Sequence, residues 1–131
     1  MGLFSQLRDF FRSAESYVVE KVSCFTEVGI LDDGTVRVEF EGNYYEFISI
    51  NDIPVEDIIE SAKSQFQQRW EKRFVEDLTQ VMAGMGRHPG ERVVKLVLRD
   101  PDSGQIHAAA EAPLTKENRS EVWRRARQQR G

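Results

Sequence analysis

The sequence predicts an α+β protein, an antiparallel sheet with helices in the order α-β-β-β-α-β-β-α. Three observations predict it. Apolar residues recur at steps of three and four in three stretches and alternate with polar residues in five others. Turn-forming sequences separate the alternating runs: Asp32-Asp33-Gly34, Gly42-Asn43 and Asp100-Pro101-Asp102-Ser103-Gly104. The chain has 131 residues, which suits one domain over 1–131 with a single core.

Residues 3–22 read as an amphipathic helix. Leu3, Leu7, Phe10, Phe11, Ala14, Tyr17, Val18 and Val22 form its apolar stripe. Its polar face, Arg8, Asp9, Arg12, Glu15, Glu20 and Lys21, is neutral, whereas a helix lying on a membrane has a basic face. The stripe is therefore expected to pack on a core.

Residues 24–50 read as a three-stranded meander. A three-residue loop at Asp32-Asp33-Gly34 sets Ile30 opposite Val36 and Val28 opposite Val38. A two-residue turn at Gly42-Asn43 would set Phe40 opposite Tyr45 and Val38 opposite Phe47. These seven apolar residues then share one face, so turn chemistry and hydrophobic pattern agree. The other face carries Glu27, Arg37, Glu39 and Glu46 together with Phe25, Leu31, Tyr44, Ile48 and Ile50. That is unusually apolar for a solvated face. It is covered either by a second layer of the same chain or by a partner, in which case those five apolar residues are the partner-binding patch.

Residues 54–83 read as one long helix, capped by Asn51 or Asp52 and opened by Pro54. Thirty residues would span about 45 Å, against about 35 Å for a domain of this size. A straight helix would project and carry Phe66, Trp70 and Phe74 to the interface of a homodimer. A break near Gln67-Gln68 would instead fold both halves onto one core. Residues 84–90 form a loop, 91–99 and 105–112 a second hairpin, and 115–130 a final helix capped by Thr115.

Composition narrows the class. Cys24 is the one cysteine, so no internal disulfide forms and a reducing, cytoplasmic setting is expected. Arg8 and Asp9 interrupt the first apolar residues, unlike a signal peptide, and the residues after Gly2 do not follow the myristoylation pattern. No apolar run reaches the ~20 residues of a membrane span. Net charge is −4, but residues 115–131 hold six basic and two acidic residues, a net +4 that leaves −8 on the remainder. General nucleic-acid binding is therefore not expected.

No catalytic, cofactor or metal constellation stands out. Gly84-Met85-Gly86-Arg87-His88-Pro89-Gly90 lacks the Gly-Lys-Ser/Thr ending of a phosphate-binding loop and precedes a strand. His107 and Glu111 share a strand face but sit about 13 Å apart, too far to chelate one ion easily. Cys24 reads as a small core hydrophobe. Glu39 and Glu46, expected opposite one another, have Arg37 as a diagonal neighbour and read as a solvated cluster. Trp123 among the C-terminal arginines is one signature of nucleic-acid contact, but basic residues also complement a helix C-terminus or dock on an acidic surface.

Element order, size and acidity together, with strands such as Val36-Arg37-Val38-Glu39-Phe40 and Val93-Val94-Lys95-Leu96-Val97, resemble the class I type III secretion chaperones. The resemblance implies a cytosolic homodimer that holds another protein's extended segment on its sheet and does no catalysis. The leading expectation is thus a non-enzymatic protein-binding module, chaperone-like, without cofactor. The alternative is a small enzyme or ligand-binding domain with a helix–sheet pocket lined by His107, Glu111, Arg37 and Glu46.

Overall fold

Two tight hairpins organise the first half of the sheet. In the computed structural model, which describes residues 20–89 and 92–130, β1 (Glu27–Ile30) and β2 (Val36–Phe40) pair with Ile30 opposite Val36 and Val28 opposite Val38, as the loop chemistry dictates. Gly34 takes φ +88° there, and the Asp33 carboxylate accepts the Thr35 N–H. The next turn differs from expectation. Glu41 and Gly42 are its two central residues, both with positive φ, so Phe40 faces Asn43 and Val38 faces Tyr45 on β3 (Asn43–Ile50). A two-residue turn of this hand needs left-handed backbone at both positions, and glycine serves in the second. The register slips by two residues, so the core-facing set is preserved while Glu39 meets Tyr44 and Arg37 meets Glu46.

Asn51 and Asp52 then turn the chain at positive φ into the two-residue β4 (Ile53–Pro54). They build a turn rather than cap the following helix, and the Asn51 carboxamide accepts the Lys95 N–H. The expected continuous helix is three. α1 (Val55–Phe66) stops at Gln67, whose φ of 52° and ψ of −118° no helix accepts. A 3₁₀ turn (Gln67–Arg69) leads into α2 (Trp70–Glu76), and α3 (Leu78–Gly84) starts afresh after Asp77. The breaks satisfy a stripe that drifts around the axis, because each short helix turns its own part of the stripe inward. Phe74 is fully buried, and Phe66 and Trp70 pack against the core. With no projecting helix, the length argument for a homodimer through Phe66, Trp70 and Phe74 lapses.

β5 (Val93–Arg99) and β6 (Ile106–Pro113) form the second hairpin, its turn held by the Asp100 carboxylate accepting the N–H groups of Asp102 and Ser103. The strand order is β1-β2-β3-β5-β6, antiparallel throughout. α4 (Lys116–Arg130) closes the described chain, with Thr115 as its cap through the Asn118 N–H. The core lies between one sheet face (Val28, Val38, Phe47, Ile50, Leu96, Leu98) and the helices (Ile58, Ala62, Phe74, Val81, Met82, Val122). The expected 3–22 helix falls mostly outside the described residues; Glu20–Val22, which are described, are irregular.

Candidate protein-binding surface

The two edges of the sheet are treated differently. The β1 edge is closed by α4, which buries Val122 and Ala126 and reaches over the strand with Arg125. The Arg125 guanidinium lies 2.8 Å from Glu39, 3.3 Å from Glu27 and 2.8 Å from Glu121. The Thr26 hydroxyl donates to Glu39 at 2.6 Å, and the Tyr44 hydroxyl to Glu27 at 3.3 Å. Hydrogen bonds from Thr26 and then Arg125 hold the Glu39 carboxyl below its ordinary range. Arg124, which also bonds Glu121, and Arg125 lower Glu121 to about 2. Three carboxylates around one guanidinium form a clamp that pins α4 to the sheet, and Glu39 and Glu121, both held low, are not poised to exchange a proton near neutrality.

Among the described residues the β6 edge is bare. Among the described residues β6 pairs only with β5. Ile106 is 57% exposed, and His107, Ala108, Ala110 and Glu111 are exposed as well. Alternation places Ile106, Ala108 and Ala110 toward the open face and His107, Ala109 and Ala112 toward the core side. A bulge sets both Ala110 and Glu111 opposite Lys95, which puts Glu111 on the open face. A second bulge sets Ile48 and Ser49 together opposite Val97. The open face therefore carries an apolar row of half-buried Ile48 and Val97 leading to Ala108 at the edge. Ion pairs Arg99–Glu46 at 3.2 Å and Lys95–Asp52 at 2.8 Å flank it.

The expected partner patch divides. Tyr44 (43% exposed) and Leu31 (42%) are on the surface, and Ile48 lies in the apolar row. Phe25 and Ile50 are fully buried, and both are corrections. The β3 bulge reverses the alternation, so Phe47 and Ile50 both enter the core. Phe25 precedes the regular strand, so the alternation does not reach it; it packs edge-on against Phe47 at 5.1 Å.

The expected pocket residues do not converge. His107 stacks on Tyr45 at 5.3 Å on the core side of the sheet, whereas Arg37 and Glu46 pair on the opposite face. The β6 bulge separates Glu111 from His107, which were expected to share a face. Cys24 is buried, and desolvation pushes its thiol far above the ordinary range, so no thiolate nucleophile is presented. No group of three or more His, Cys, Asp or Glu among the described residues is placed to hold a metal, and no described helix is long and apolar enough to cross a membrane. The basic C-terminal charge is largely consumed within the chain. Arg119 bonds Asp77 at 3.1 Å and the Glu76 carbonyl, Arg124 and Arg125 take the carboxylates above, and Arg127 lies 4.6 Å over Trp123.

Comparison with protein-family models, curated proteins and solved structures finds no match. The Arg125 clamp and the bare β6 edge are the features that sequence reasoning missed. The i,i+4 spacing of Glu121 and Arg125 is the one local signal for the clamp. The alanines of β6 signalled room for a neighbour, without saying that the strand is an edge.

Proposed function

We propose that this protein is a non-enzymatic binding module that takes up an extended segment of another protein along β6, by strand addition. The observation that carries the reading is the contrast between the edges: β1 is shielded by α4, while β6 offers eight residues, four of them alanine, and an unpaired outer side among the described residues. Natural proteins generally blunt such edges, and a regular exposed edge is a template for another strand. The β6 bulge limits regular pairing to the 106–109 end, and the Ile48–Val97–Ala108 row supplies apolar contact beside it. Holding another protein's extended segment on the sheet is the role implied by the resemblance to secretion chaperones, and a single buried thiol suits a reducing cytoplasm.

The test is selection of short peptides that bind the full chain, followed by backbone N-methylation one residue at a time. Strand addition predicts that methylation abolishes binding at alternate positions, that bound peptide slows amide exchange at 106–110, and that Ala108→Lys weakens binding. Indifference to N-methylation, or protection confined to other elements, would overturn the reading.

A further inference from the structure

We infer that the segment taken up at β6 is basic, with one lysine or arginine level with Ile106 and another level with Glu111, just past the stretch that pairs. The inference rests on the strand-addition reading and names the partner that the edge selects. Its basis is the distribution of unneutralised charge along β6. On the open face beside the strand the cations are already engaged, Lys95 with Asp52 and Arg99 with Glu46. The carboxylates at the ends of the strand are not.

At the Ile106 end the turn holds Asp100 and Asp102. The Asp100 carboxylate accepts the Ser103 and Asp102 N–H groups, which lower its pKa and keep it charged without neutralising it. Asp102 is exposed and has no cationic partner among the described residues. Both also line a cleft of about 420 Å³ with Asn43, Tyr44, Tyr45 and Pro101, on the β3 side of the turn. A long cationic side chain at the Ile106 end of an added strand would put its head at the turn, where Asp102 is exposed. At the other end Glu111 is exposed on the bulge, opposite a Lys95 whose ammonium is held by Asp52. Arg92 and Lys116 lie beyond Pro113 in a cleft that also contains Glu20 and Glu117, so that cluster is balanced.

From Ile106 to Glu111 an extended chain covers about 17 Å. The two basic residues of the partner should therefore be about five or six positions apart. A second copy of this chain does not fit as well. Antiparallel two-fold pairing about Ala109 would set His107 level with Glu111 of the other copy, but the bulge puts those side chains on opposite faces. A nucleic acid strand would meet carboxylates at both ends.

The experiment is selection from a random library of peptides of about ten residues against the full chain, keeping those lost on Ala108→Lys. Lysine or arginine should be enriched at two positions five or six apart. Glu111→Lys and Asp102→Lys, both at exposed sites, should each lower affinity about tenfold and shift the preference at their own end toward acidic residues. Peptides that bind at β6, by amide protection of 106–110, without basic preference would overturn this inference and leave strand addition standing. A library that yields no peptide protecting those amides would overturn both.

Discussion

Phe25 illustrates how a single residue's place depends on what surrounds it. Read as part of β1 it belongs to the open face, yet it lies just before the strand and seals the core against Phe47. Phe25→Ala should cost about 3–5 kcal/mol, read by urea unfolding, because a fully buried aromatic leaves a cavity; a loss under about 1 kcal/mol would show the site to be loosely packed. Cys24 beside it should react with a thiol reagent at pH 8 only after denaturation, since burial holds the proton on sulfur. Rapid labelling of the native protein would contradict that burial. Arg125 makes a pH prediction. Glu39 and Glu121 titrate lower in the fold than their ordinary 4.5, so the stability they contribute is complete above that value. It is lost as pH falls through the folded values, about 2 for Glu121. Arg125→Gln should therefore lower stability at pH 7 and flatten its decline between those limits; a decline parallel to wild type would remove the clamp from the account.

At the scale of elements, the break at Gln67 decides how the middle of the chain packs. Its φ of 52° with ψ of −118° is a conformation that glycine adopts freely and glutamine does not. Gln67→Gly should raise stability by about 1 kcal/mol in thermal or urea unfolding. Were residues 54–83 a continuous helix, the same change would lower stability by about 1 kcal/mol, so the sign alone distinguishes the two structures. The bulges in β3 and β6 act similarly on the sheet. Each inserts one residue and reverses the alternation beyond it, sending Ile50 into the core and separating Glu111 from His107.

At the scale of the whole molecule, the three short helices fold back on one another and on the sheet, so the aromatic stripe serves this chain's own core. Trp70 packs there with the Lys63 ammonium 5.0 Å from its ring. Trp70→Ala should therefore lower the melting temperature while leaving the mass in solution unchanged by sedimentation equilibrium. A wild-type dimer that dissociates on this substitution would restore the interface that a long helix implied.

The sequence by itself determined what short-range chemistry controls. The α+β class, the first hairpin register, the turn at Asp100 and the Thr115 cap all follow from residues within a few positions of one another. The core-facing set from Val28 to Phe47 followed too, because a slip of two residues preserves the face. Tertiary structure decided the rest. A helix breaks at Gln67 because burying a drifting stripe outweighs local helix preference, and a bulge forms where neighbouring strands must fit a shared core. Which edge is shielded depends on where α4 docks, through a guanidinium that meets Glu39 from 86 positions away. Contacts that distant leave no local pattern in the chain, so the surface proposed to bind a partner emerges only once the sheet and helices are assembled.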